Sequence, residues 1–181
     1  MNEVQPVRTK KERESMKKAL HGRDKLLFTL GCSLGLRISD LLTLKPGDIR
    51  NKTELIIREG KTGKVRRIPI SKSVAKAIAA VDTPDEAYLF ASRKKDAQGR
   101  SKPISRQQAY TVLNKAAQRA GITYPIGGHT LRKTFGLMHY QNGVDITRIM
   151  QILNHASPQI TLAYIGITRE EITEAYEALE V

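Results

Sequence analysis

Residues 54–70 read ELIIREGKTGKVRRIPI, and the way this segment folds decides the class of the whole chain. Two short runs rich in β-branched residues, Glu54–Arg58 and Val65–Ile70, flank the turn Gly60-Lys-Thr-Gly63. Strand-forming runs around a glycine-containing turn predict an antiparallel hairpin. The rival is the Gly-x-x-x-x-Gly-Lys-Ser/Thr loop of nucleotide hydrolases, whose backbone cradles phosphates. Its first glycine would fall on Leu55, and that loop opens a helix, whereas here the chain returns to a strand at Val65. The hairpin reading stands, and Lys61 sits on its turn, where a flexible side chain can reach a phosphate or a base.

Outside this hairpin the chain reads as helices. Thr9-Lys-Lys-Glu12 has capping-box spacing and predicts a helix to about Leu20. A second helix, Arg23 to Leu34, carries Leu26, Leu27, Leu30 and Leu34 in a stripe and breaks at Gly35. Ser39 is expected to cap a short helix from Asp40 to Leu44, closed by Pro46-Gly47. Helices follow over residues 71–80, from Ser105 to about Ala120, and from the Gly127-Gly128 pair to about Gln141. Asp145 caps another, with Ile146, Ile149, Met150 and Leu153 on one face, and Ser157-Pro158 opens a further short one. Residues 91–103, ASRKKDAQGRSKP, are polar, basic and aperiodic, and are expected to form the most mobile loop. The fold class is therefore mainly α with a small antiparallel β-sheet (α+β).

The 181 residues, 40% hydrophobic, suffice for one domain with a real core. The formal charge is +13, unevenly placed: Glu170, Glu171, Glu174, Glu177 and Glu180 lie in a stretch without Lys or Arg, whereas 31 basic residues oppose 13 acidic ones before it. So basic a body suits a polyanion, and nucleic acid is the expected partner. Cys32 is the only cysteine, so no intrachain disulfide can form, and a reducing compartment fits. The first residues have no apolar stretch for a signal peptide, and no run of about 18 apolar residues exists. The chain is read as cytoplasmic, without a membrane partner.

Three further segments bear chemistry. In HTLRKTF, residues 129–135, His129 and Arg132 lie about 60° apart on a helical wheel, opposite Leu131, Phe135 and Met138, so their edge is expected to face away from the core. No Asp or Glu sits within ten positions of either. Arg37 lies in Gly35-Leu-Arg-Ile-Ser-Asp40, a break between helices that can aim a long side chain inward, with a surface pair to Asp40 as the alternative. Tyr164 follows His155 by nine positions, and His155 lies just past a helix end. The four histidines, His21, His129, His139 and His155, show no metal-ligand spacing with Cys32, so any phosphoryl chemistry would run on protein cations.

Taken in order, GLR37ISD, GK61 before a strand ending IPI, H129TLR132KTF, LNH155 and TLAY164 resemble the catalytic domain of the tyrosine recombinases, the phage-integrase family, from about Lys10 to Ala178. The resemblance implies the catalytic-domain fold of that family and DNA cutting and rejoining with no cofactor, metal or ATP. Tyr164 would attack a backbone phosphate and form a 3′-phosphotyrosyl link. Arg37 and Arg132 would bind the phosphorane, Lys61 would protonate the leaving 5′-oxygen, His129 would take the tyrosyl proton, and His155 would donate to the phosphate. The physics agrees: guanidinium stays charged at any working pH and presents forked donors to the charge that develops on phosphorus. The implied partner is double-stranded DNA, bound by a homotetramer on paired sites that assembles from monomers. Lys64, Arg66, Lys102 and Arg106 are the candidate DNA contacts.

The sequence departs from the family at several positions. Asn154 stands where glycine is usual before the second histidine; asparagine is the next-best residue for a left-handed helix cap. Lys133 stands where histidine is frequent and keeps a positive charge, counted here toward DNA; Asp40 replaces a frequent glutamate and is expected to buttress Arg37. Most members carry an N-terminal helical domain that clamps DNA; residues 1–181 read as the catalytic domain alone, and a short member and a piece of a longer integrase remain equal alternatives. The last helix, about 168–179, has Ile172, Ala175, Tyr176 and Leu179 on one face; it is expected to dock in cis without DNA and on a neighbouring subunit in the tetramer. An inactive DNA-binding accessory protein and a type IB topoisomerase-like enzyme are the competing functions. The intact set of six residues argues against the first, and the wording of the motifs against the second.

Overall fold

The computed structural model describes residues 4–167 together with Thr173 and Glu177. The predicted caps set the helix starts. Thr9 and Glu12 form the full capping box of α1 (Lys10–Ala19), and Ser71, Ser105, Asp145 and Ser157 each accept a backbone N–H at the start of α4 (Lys72–Ala79), α5 (Arg106–Arg119), α7 (Ile146–Leu153) and α8 (Pro158–Ile165). Each such cap satisfies a helical donor and stabilises by about 1 kcal/mol. α2 (Gly22–Leu34) ends at Gly35, which is left-handed (φ +59°) and has no room for a side chain: a Cβ there would lie 2.6 Å from the Phe135 ring of α6 (Thr130–Gln141).

α3 spans Ile38–Leu42 and not Asp40–Leu44. Arg37, not Ser39, occupies its N-cap position, because the left-handed break at Gly35 lets the helix resume immediately. β1 (Glu54–Arg58) and β2 (Val65–Pro69) pair antiparallel in the expected hairpin, with Leu55 opposite Ile68 and Ile57 opposite Arg66. Residues 91–103 are closed at their base by a bridge between Ala91 and Pro103, and Asp96 accepts backbone bonds from Gln98 and Arg100 within the loop.

α2 and α6 form the centre. Leu27, Phe28, Leu30 and Leu34 of α2 are buried with Leu131 of α6 in one core shared with α1, α3, α4 and α5. Each such side chain contributes roughly 1.5–3 kcal/mol on burial. A second, smaller core joins the other side of α6 to α7 and α8 through Phe135, Leu137, Ile149, Leu153 and Ile165. Gly136 permits that approach, since a Cβ there would meet Ile165 Cγ2 at 2.7 Å. The N-terminal segment closes a third side, where Val7 N–H donates to Thr134 Oγ1 and Thr130 Oγ1 donates to the Gln5 carbonyl.

The N-terminal two turns of α6 are thus enclosed all round, with every residue from Thr130 to Leu137 buried. The expected outward edge of this helix is confined to His129, and Arg132 is only 3% exposed. Among the described residues no helix is long and apolar enough to cross a membrane. The expected helix over 168–179 lies outside the described residues, apart from Thr173 and Glu177, both helical and exposed.

Candidate active site

Four pieces of chain meet at the N-terminal end of α6. The Gly35 break delivers Arg37, the β1–β2 turn delivers Lys61, the first turn of α6 delivers His129 and Arg132, and the α7–α8 pair delivers His155 from its corner and Tyr164 from the last turn of α8. Asn154 makes that corner: it takes the left-handed conformation (φ 52°) as the C-cap of α7 and turns the chain directly into His155.

Among the described residues, Arg132 is held by backbone carbonyls and by no carboxylate. Its Nη1 donates to the Gly35 carbonyl, and its Nη2 donates to the Leu153 carbonyl at 2.8 Å. These are the C-terminal ends of α2 and α7, where carbonyls lack helical partners and carry partial negative charge. The guanidinium is buried, yet its full charge remains for a ligand.

The Tyr164 hydroxyl lies 3.4 Å from His129 Nδ1. The His155 ring packs edge-on against Tyr164 with centroids 4.7 Å apart, and His155 Nδ1 bonds Thr161 Oγ1 at 3.2 Å. Burial pushes the Tyr164 phenol above its ordinary value, while Arg132 and Arg37 pull the other way. His129 is held below the ordinary imidazole range, first by desolvation and then by the charges of Lys133, Arg132, Lys61 and Arg37. His155 is lowered by burial and then by Arg132 and Arg37. A neutral imidazole beside a phenol that resists ionisation can serve as its proton acceptor.

Beside this pair opens a cleft of about 670 Å³ faced by Arg37, Arg58, Lys61, Arg106 and His129. Asp40 also lines it, with Oδ1 engaged by the Gly60 N–H at 3.1 Å. So dense a set of donors and cations suits a phosphate-bearing ligand.

Several expectations change here. Asp40 forms no ion pair with Arg37 among the described residues; its Oδ1 instead accepts the Gly60 N–H and fastens the hairpin turn. The partner of Arg37 is Glu59, at 2.6 Å and 1% exposed. Glu59 went unnoticed in the sequence, although strand alternation places it on the inward face with Leu55 and Ile57. Arg66 is turned to the same carboxylate at 3.2 Å and does not face the cleft. Lys133 is buried, with Nζ 5.1 Å from the Tyr164 ring centroid, so it is not a surface DNA contact. Lys64 donates to Asn154 Oδ1 at 3.1 Å, tying the hairpin turn to the α7 cap. Arg106 joins the cleft, whereas Lys102 lines a separate groove with Ser92, Arg93 and Lys94. Arg58, which the sequence reading passed over, both faces the cleft and pins the turn by donating to the Gly63 carbonyl.

Residues 7–171 match the phage integrase family. A Bacillus subtilis (strain 168) protein named "Probable integrase/recombinase YoeC" is 42% identical over 98% of this chain and 97% of its own length. The tyrosine recombinase XerA of Pyrococcus horikoshii is 33% identical over 86% of this chain and 54% of its own length, so the chain spans about half of that relative. Among solved structures, the XerH site-specific recombinase bound to a palindromic difH substrate superposes with a TM-score of 0.71 at 21% identity, covering 98% of this chain and 54% of that one.

Proposed function

The chain belongs to the phage integrase family, and on that premise we propose that it cuts and rejoins double-stranded DNA through a covalent 3′-phosphotyrosyl intermediate on Tyr164. The observation that carries this reading is the Tyr164 hydroxyl 3.4 Å from His129, under the charges of Arg132 and Arg37.

Tyr164 Oη attacks phosphorus as its proton passes to His129 Nδ1. The bond from phosphorus to the 5′-oxygen breaks, and Lys61 supplies the proton that leaves this oxygen as a hydroxyl. Arg37 and Arg132 hold the non-bridging oxygens, whose charge grows in the pentacoordinate state. Removing one such donor typically costs about 2.7–4 kcal/mol in barrier. His155 adds a hydrogen bond to the phosphate. A second 5′-hydroxyl then attacks the phosphotyrosyl link and releases Tyr164. The energy of the phosphodiester is conserved in the covalent link, so no nucleotide cofactor enters. Four chains on two paired DNA sites complete the proposal, and XerH bound to its difH substrate supports DNA as the partner.

The test is incubation with a nicked suicide duplex in buffer with a chelator. The wild type is expected to form a detergent-resistant protein–DNA adduct, and Tyr164→Phe to form none while remaining folded. An adduct that appears only with added Mg²⁺, or that persists in Tyr164→Phe, contradicts the mechanism.

A further inference from the structure

Glu59 is the least exposed acidic side chain among those forming described ion pairs, and it binds three side chains at once. Oε2 lies 2.6 Å from Arg37 Nη1 and accepts from Thr62 Oγ1 at 2.7 Å; Oε1 accepts from Arg66 Nη1 at 3.2 Å. Its backbone closes the turn beneath Lys61, with the Glu59 N–H donating to the Lys64 carbonyl and the Gly63 N–H donating to the Glu59 carbonyl. Burial raises the Glu59 carboxyl, but the bonds from Thr62, Arg37 and Arg66 outweigh it and hold the group at about 2.

One carboxylate shared by two guanidinium groups leaves the cluster with a net positive charge. If Glu59 faced Arg37 alone, the pair would be neutral and its pull on a phosphate would be much reduced. Arg66 prevents that. It sits opposite Ile57 in the hairpin register, on the inward face, with its side chain only 16% exposed.

We propose that Glu59 is a positioning residue of the strand-cleavage reaction: its carboxylate fixes the Arg37 guanidinium at the edge of the cleft, and Arg66 offsets the charge that this contact costs. The inference rests on the reading of Arg37 as a phosphate-binding cation. Glu59→Gln keeps the shape and removes the charge, so two arginines then face each other across a neutral amide and Arg37 leaves its place.

The experiment compares wild type, Glu59→Gln, Glu59→Asp and Lys61→Ala, each confirmed folded by circular dichroism at the assay temperature. Single-turnover cleavage by Glu59→Gln is expected to fall about 100-fold, the scale for losing one oriented donor, with DNA binding unchanged or tighter. Glu59→Asp, which keeps the charge on a shorter stem, recovers part of the rate. A substrate with sulfur in place of the bridging 5′-oxygen separates Arg37 from Lys61, because a thiol of pKa about 8.5 departs without an acid. It should restore Lys61→Ala and leave Glu59→Gln slow. Wild-type cleavage by Glu59→Gln, or its rescue by sulfur to the extent seen for Lys61→Ala, overturns the proposal. ¹⁵N-arginine NMR without DNA provides a readout independent of cleavage. Arg37 guanidinium rotation should be restricted in the wild type and freed in Glu59→Gln; equal mobility in both overturns the positioning role. If the wild type forms no adduct yet shows restricted Arg37, the recombinase reading fails and the positioning contact stands.

Discussion

Acidifying the protein should cost it a calculable part of its stability through Glu59. The folded-state carboxyl titrates near 2, against 4.5 for an ordinary glutamate. Because the folded value is depressed, the stabilisation is fully present above about pH 4.5 and is lost as pH falls toward 2. The depression from 4.5 to about 2 corresponds to at most about 3 kcal/mol at 1.36 kcal/mol per pKa unit, less whatever solvent screens of the pairing. At most about 2 kcal/mol of this should be gone by about pH 3. Other carboxylates titrate in the same window, so the assay is the difference between wild type and Glu59→Gln in urea unfolding, followed from about pH 6 to about pH 3. The gap between the two proteins should narrow by up to about 2 kcal/mol on acidification, because only the wild type carries the titrating group. A gap that stays constant across this range would refute the ion-pair account of Glu59.

Lys133→Met should move the acid limb of the cleavage rate to higher pH. Lys133 is the strongest charge lowering His129, after desolvation, so its removal lets the imidazole protonate earlier. A pH–rate profile with an unmoved acid limb counts against His129 as the acceptor. Gly136→Ala places a Cβ 2.7 Å from Ile165 Cγ2, so α8 must shift; stability should fall by about 1–3 kcal/mol, and adduct formation should fall more than DNA binding. Asn154→Val, a β-branched residue at φ 52°, should cost roughly 1–2 kcal/mol in urea unfolding, whereas Asn154→Gly should stay within about 0.5 kcal/mol.

The helices were legible because their signals are local. Thr9, Ser71, Ser105, Asp145 and Ser157 each bond a backbone N–H two or three residues on, and the hairpin announces itself by two β-branched runs around a turn. Asn154 as a left-handed cap was readable for the same reason. The contacts that were missed are long-range. Arg37 pairs with Glu59, 22 positions away, because the hairpin folds back beside α3 and brings that carboxylate within 2.6 Å of its guanidinium. Strand alternation would have flagged a carboxylate and an arginine on the inward face at positions 59 and 66, had it been extended past the apolar residues. The burial of Arg132 and Lys133 was hidden because the wheel shows one apolar stripe on α6, whereas α2, the α7–α8 pair and the N-terminal segment cover it from three sides.

The central claim is that one phenolic oxygen takes the phosphate. Proteolysis of the trapped adduct, nuclease trimming of its DNA and mass spectrometry of the modified peptide locate that bond. A nucleotide phosphate on Tyr164, within the segment around SPQITLAYIG, is the expected result. A nucleotide on any other residue would contradict the account.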